Sequence, residues 1–396
     1  MTDEKYRHVY VIVEHFEGKL LPVSLEMLGE ARRLFDEFNK RYSSTEKVVA
    51  VLLGHNIEHL QKTLIEHGAD AVIIVNHPAL HSLINRIHTK VICQICLDKE
   101  TAAKIEPRYA LEYERPRYMF FAADGIGRHL SSTVLAELDS GLASDVNKLL
   151  ISDLEISHPV KTGGKKIMYR KTLEMYRVDF SGFLWTTILC LDNTNEKYPF
   201  REYSPQSCNI IPGAFEPLEA DINRKGIFIE FQPKIDDDDL KIKVLSEKFV
   251  ESEVDFENYK AVVGFGRGIQ ESPEKNIKLV EEFARRINAQ IGISLPISKN
   301  VFPASPATTS TYMIPARVIG TSGQKISPML YVAFGISGAM QHISGMEESQ
   351  FVISVNSDEN APIKDSSDIL LKGRMEDVIP LLLEELKIQL PAIEAK

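Results

Sequence analysis

Residues 335–346 read GISGAMQHISGM and follow directly on the apolar run LYVAF. Glycine adopts positive φ and lets a ligand approach the main chain, so Gly335, Gly338 and Gly345 mark a permissive backbone. Ser337 adds a hydroxyl, and a helix starting after it would turn its N–H groups and positive dipole end toward an anion. Gln341 and His342 stand one helical turn further on. Similar residues punctuate the other strand ends of this half: Gly264, Gly266, Arg267 and Gly268; Ser294; Gly320, Thr321, Ser322 and Gly323; Asn356. In an open parallel α/β sheet, ligands bind beyond the carboxyl ends of the strands. The pattern therefore describes a site for a large, phosphate-bearing cofactor. It brings no acid–base pair or nucleophile set with it, and no catalytic residue is assigned.

Other motifs carry less chemistry. CQIC (93–96) has the spacing of a redox or zinc motif, but no second CxxC follows, and a structural role is expected. His77, His81 and His88 follow one another at short intervals, which leaves a Cys/His metal cluster with it as the alternative reading. GGKK (163–166) lacks the phosphate-loop pattern and reads as a hairpin turn. The glycines of ADGIGRHL (123–130) read as architectural.

The elements that must position these residues are legible from periodicity. HVYVIVEH, VVAVLLG and AVIIVNH read as strands, and SLEMLGEARRLFDEF and IEHLQKTLIEHG as helices, the first with Ser24 available as N-cap. Strands that are apolar throughout and alternate with helices imply a parallel sheet covered on both faces. From about 155 to 254 short β-like segments and polar turns replace that alternation; this stretch is expected to be strand-rich decoration, with DDDD (236–239) a solvated turn. Strand–helix alternation then resumes: AVVGFGRG, AQIGIS, MLYVAFGIS and QFVISVN read as strands. SPEKNIKLVEEFARRI reads as a helix with Ser272 as N-cap and Pro273 at its first position. MEDVIPLLLEEL reads as a terminal helix that Pro380 starts or kinks.

The fold class is thus α/β in two domains, 1–254 and 255–396, each with a mainly parallel sheet. At 396 residues, 44% hydrophobic and 26% charged, the chain is long enough for two cores. A formal net charge of −10 argues against a sequence-independent grip on nucleic acid. No apolar run reaches the about 18 residues of a membrane span, and MTDEKYRHVYVIVEH does not have the pattern of a signal peptide. Four cysteines make no disulfide framework, so a reducing, cytoplasmic compartment is expected.

GISGAMQHISGM, preceded by SPMLYVAF and followed by VNSDENAPI, strongly resembles the C-terminal domain of the alpha subunit of electron transfer flavoproteins. VIVEHFEGKLLPVSLEMLGEARRL and HGADAVIIVNHPAL resemble that family's opening, with weaker likeness in GIGRHLSSTVLAELDSGLASDV and IPGAFEP; residues 155–210 are the least similar. The resemblance implies a Rossmann-like C-terminal domain that holds FAD and an N-terminal domain that contacts a beta subunit. It implies a heterodimer shuttling electrons between a dehydrogenase, such as an acyl-CoA dehydrogenase of fatty acid β-oxidation, and an acceptor. Carried over by position, Arg267 meets the FAD and Ser294 is the flavin-loop serine. Gly320, Thr321, Ser322 and Gly323 surround flavin and phosphates. Ser337, Gly338, Gln341 and His342 run along the cofactor, and Asn356 lies near its adenosine half. An imidazole, a hydroxyl and N–H groups beside a flavin favour its reduced, more negative form.

The chain departs from the family at three positions. Leu295 stands where an arginine follows the flavin-loop serine, Val318 where a glutamine is written, and Arg374 where an aspartate is. Arg317 or Lys299 is expected to restore the missing charge from a shifted position. The departures favour a second reading, a divergent paralogue that binds an adenine nucleotide in a regulatory or assembly role without redox turnover.

Overall fold

The computed structural model describes residues 5–109, 111–178, 184–246, 254–256, 258–299, 303–321 and 323–389. The chain divides into two compact units, Met1–Val178 with Trp185–Lys248, and Asp179–Leu184 with Phe249–Lys396.

The first unit opens with β1 (Tyr6–Val13), the hairpin β2 (His15–Phe16) and β3 (Lys19–Leu20), and α1 (Pro22–Tyr42). It continues with β4 (Val48–Gly54), α2 (Gln61–Glu66), β5 (Ala71–Asn76), α3 (Asn85–Leu97), α4 (Lys99–Ile105), β6 (Arg115–Ala122) and α5 (Gly125–Glu137). Then come β7 (Leu142–Val146), β8 (Lys148–Ser157), β9 (Lys166–Val178), β10 (Trp185–Ile188), β11 (Gln206–Ile210) and β12 (Ile227–Glu230). Seven of these strands form one parallel sheet in the order β12-β5-β4-β1-β6-β11-β7. Because side chains alternate along a strand, β1 feeds two cores. Val9, Val11 and Val13 pack with Met27 and Phe35 of α1, while Tyr10 and Ile12 pack with Val91 of α3 and Val134 of α5.

The stretch expected to be decoration is only partly so. β8, β9 and β10 make a separate antiparallel sheet, with the GGKK turn between its first two strands, but β11 and β12 return to the main sheet. QSCNI and IFIE are too short to show a period. The DDDD segment is likewise no simple solvated turn. Asp239 is 2% exposed and accepts from Lys90 Nζ at 2.5 Å. Ser24 lies inside α1, not at its cap, exchanging hydrogen bonds with the Glu14 backbone.

The second unit holds β13 (Ala261–Phe265), α6 (Pro273–Arg286), β14 (Ala289–Ser294), α7 (Leu295–Lys299), α8 (Pro306–Tyr312) and β15 (Val318–Ile319). It ends with β16 (Leu330–Phe334), α9 (Met340–Ile343), β17 (Val352–Asn356), β18 (Ile369–Lys372) and α10 (Met375–Gln389), which carries Pro380 in its interior. Ser272 occupies the α6 cap position without a side-chain cap bond. The sheet is parallel, in the order β15-β14-β13-β16-β17-β18. Counted within the unit this is 3-2-1-4-5-6, the order of dinucleotide-binding sheets, whose switch point falls between strands 1 and 4. Here those are β13 and β16. Among the described residues no helix is long and apolar enough to cross a membrane.

Glycines let the loops at that switch point close on one another. A β-carbon on Gly335 (φ +60°) would stand 2.6 Å from Gly268 Cα, and one on Gly266 would stand 2.7 Å from the Gly335 carbonyl. Gly338 (φ +82°) abuts the Ile363 backbone, whose N–H donates to the Ser337 carbonyl at 3.1 Å. Gly338→Ala combines left-handed backbone with a main-chain clash. It is expected to cost at least about 2 kcal/mol, read as a lowered urea midpoint.

The first unit has its own switch point, between β1 and β6, and it is closed by carboxyl groups. The Asp124 side chain caps α5, accepting from the N–H groups of Ile126 at 2.9 Å and Gly127 at 2.8 Å. Burial, then the neighbouring Asp124, push Glu14 from 4.5 up to about 9. Between pH 4.5 and about 9 the unfolded chain releases a proton that the folded chain keeps, so folding weakens as pH rises through that window. Glu14→Gln removes that ionisation. Thermal unfolding should show the variant gaining about 2–4 kcal/mol at about pH 8 and little or nothing at about pH 4.

Candidate functional site

A cleft of about 870 Å³ opens at the carboxyl edge of the second unit's sheet, across its switch point. The loop after β13 contributes Arg267, β14 ends in Ser294, the loop after β15 brings Gly320 and Thr321, and that after β16 brings Ser337, Gln341 and His342. Asn356 closes the list from the end of β17. These eight residues, assigned from sequence, thus line one cavity. Gly323 and Gly338 are not in its wall; they pack loops together, Gly323 against Val318 and Gly338 against Ile363. Ser322 lies outside the described residues.

The lining is polar but sparingly partnered. Arg267 is exposed and, among the described residues, makes no ion pair or side-chain hydrogen bond. Ser294 is 7% exposed, and among the described residues its hydroxyl has no protein partner. Asn356 is committed to the fold: its Nδ2 donates to the Ile336 carbonyl at 2.8 Å and its Oδ1 accepts from the Asp358 N–H at 2.9 Å. The Gln341 carbonyl accepts from the Thr321 N–H at 2.8 Å, joining the two loops.

His342 lines the cleft with both ring nitrogens engaged by the protein. It is 5% exposed, with Nδ1 at 3.1 Å from the Ile319 carbonyl and Nε2 at 2.8 Å from the Tyr331 hydroxyl. Burial pulls it from 6.5 down to about 4, the Ile319 carbonyl opposing. It is therefore a neutral imidazole whose two nitrogens are engaged within the protein. The helix expected after Ser337 is a single turn, α9, too short for an appreciable dipole.

The charge balance also corrects an expectation. Arg317 does not approach this cleft: it lines a separate pocket beside α6, donating to the carbonyls of Thr311 at 2.7 Å and Ile291 at 2.8 Å. Lys299 is exposed and outside the cleft wall. Leu295, Val318 and Arg374 all line the cleft, but Arg374 is paired with Glu271 and Glu376. The acidic lining residues Glu271, Asp358 and Glu376 carry no sequence signal, since isolated acids on loops are ordinary. In the first unit, burial pushes Cys93 up to about 12 and raises Cys96 as well, which leaves both thiols inert. Among the described residues no cluster of metal-ligating side chains occurs.

Comparison with known proteins bears on both units. Residues 9–169 match the electron transfer flavoprotein domain, and residues 255–347 match the electron transfer flavoprotein FAD-binding domain. Protein FixB of Clostridium saccharobutylicum is 32% identical, the match covering 98% of each chain. The electron transfer flavoprotein subunit alpha of Thermoanaerobacterium thermosaccharolyticum is 31% identical over 96% of this chain and 98% of its own. The acryloyl-CoA reductase electron transfer subunit beta of Anaerotignum propionicum is 29% identical over 96% of both. With the parallel sheet, its cleft and these full-length likenesses in agreement, the chain belongs to the alpha-subunit family of electron transfer flavoproteins and uses FAD as its cofactor.

Proposed function

We propose that FAD lies in the cleft of the second unit, and that the chain pairs with a beta subunit to carry electrons between a dehydrogenase and an acceptor. The observation that carries this reading is the position of the cleft, at the switch point of a 3-2-1-4-5-6 sheet inside the segment matching the FAD-binding domain. The residues present fit the cofactor. The cleft volume is that of a ligand pocket, and Arg267 and the Ser294 hydroxyl line it with no side-chain partner among the described residues. FAD supplies the redox chemistry when bound, and the chain's residues supply everything around it.

Arg267 meets negative charge on the cofactor. Gly320, Thr321 and Ser337 present main chain and hydroxyls to it, and Gly323 packs their loop against Val318. Ser294 donates a hydrogen bond from the end of β14. Gln341, His342, Gly338 and Asn356 hold the loops that shape the wall. The dehydrogenase partner is of the acyl-CoA class, a reading supported by the relative named as an electron transfer subunit of acryloyl-CoA reductase. The working compartment is the cytoplasm.

Co-expression with the beta subunit and an absorption spectrum test the reading. A yellow complex whose flavin bands bleach with dithionite supports it. A colourless complex carrying adenylate would establish the paralogue reading instead. Arg267→Gln removes a charge-assisted hydrogen bond. FAD titrated into the stripped complex should bind about 10- to 100-fold more weakly. Leu295→Arg adds a cation to the wall and should raise the flavin's first one-electron midpoint by roughly 40–130 mV in a redox titration.

A further inference from the structure

The histidine of the cleft is itself held by a residue that the sequence pattern hides in a strand. Tyr331 lies in β16, fully buried, and its hydroxyl is 2.8 Å from His342 Nε2. His342 Nδ1 is 3.1 Å from the Ile319 carbonyl. A carbonyl can only accept, so Nδ1 carries the ring proton; Nε2 of the neutral ring is then an acceptor, and the Tyr331 hydroxyl donates to it. The three groups form a chain with one direction, Tyr331 to His342 to Ile319. Gly264 makes room for it, because any β-carbon there would collide with the Tyr331 hydroxyl. Ile319 ends β15 and precedes Gly320, so the same chain ties the cleft's loop to the sheet.

We propose that Tyr331 is a positioning residue of the FAD site, which holds His342 neutral, in the Nδ1–H tautomer and in one ring plane at the cleft wall. This rests on the cleft being where FAD binds. A ring so held adds no charge beside the cofactor and offers it no N–H, which leaves Arg267 to meet negative charge. Among the described residues no charged side chain acts on the imidazole directly: burial lowers its proton affinity and the Ile319 carbonyl raises it. The charged groups that share the cleft wall are Arg267, Glu271, Asp358, Arg374 and Glu376. Without the tyrosine hydroxyl, Nε2 is a bare acceptor bordering the cleft, able to exchange tautomers and to take up a proton.

Tyr331→Phe keeps the ring and removes one oxygen, so packing is nearly preserved. Nitrogen-15 spectra of His342 in the complex with the beta subunit test the chain of bonds with or without cofactor. The parent should show Nδ1 protonated and Nε2 unprotonated. The variant should show mixed tautomers and a titration midpoint raised by about one pH unit. FAD midpoint potentials supply the second readout. Tyr331→Phe should shift the potential and give it a pH dependence that His342→Gln and the double variant both lack. A parent imidazole protonated at Nε2 overturns the proposal, as does a Tyr331→Phe shift that persists unchanged on the His342→Gln background. A complex that takes up no FAD overturns the cofactor site and leaves the nitrogen spectra to decide the tyrosine–histidine coupling.

Discussion

The second unit depends on main chain meeting main chain where its sheet changes direction. Parallel strands send their connections to opposite faces on either side of the switch point, which opens a crevice between β13 and β16. The crevice holds its shape because Gly266 and Gly268 lie directly against Gly335, and Gly320 against the backbone of Gln341. Hydrogen bonds from Gly268 N–H to the Gly335 carbonyl at 3.0 Å and from Thr321 N–H to the Gln341 carbonyl at 2.8 Å complete the arrangement. Such contacts are available only to residues without a β-carbon. The side chains of the cleft are mounted on that frame.

The two units share a topology and use it differently. In each sheet the first strand lies between the second and the fourth in order of appearance, so each has a crevice at the same place. In the first unit the amino end of α5, where a phosphate could rest, already holds the Asp124 carboxyl, and Glu14 stands beside it. An anion arriving there would meet acids, with the Ile126 and Gly127 N–H groups already taken. In the second unit the corresponding place, after β16, has Ser337 and an α9 whose cap residue Ala339 makes no side-chain cap bond, with Arg267 across the crevice after β13. Two crevices of a common topology thus differ in their side chains, one carrying neighbouring acids and the other Arg267.

Much of this was legible in the sequence because the signals were backbone signals. Apolar runs long enough to cross a sheet, and glycine clusters directly after them, mark strand ends whatever the tertiary context. The assignment of Arg267, Ser294, Gly320, Thr321, Ser337, Gln341, His342 and Asn356 to one cavity wall rested on that pattern and on the family resemblance. What escaped were matters of direction. Whether Arg317 points into the cleft or away from it is decided by the Thr311 and Ile291 carbonyls, which no spacing reveals. Tyr331 is one apolar-looking letter in LYVAF, and its hydroxyl matters only because the fold brings His342 beside it. β11 and β12 join the main sheet through pairing with β6, β7 and β5, strands distant in sequence, and five or four residues are too few to announce that.

The glycine frame has a consequence for how such a protein can change. Its outline is cast by atoms common to every residue, whereas the groups that would adjust an electron carrier's potential, at 295, 318 and 374, are ordinary side chains set into that mould. Replacing one of them would leave that outline intact; altering the mould would not.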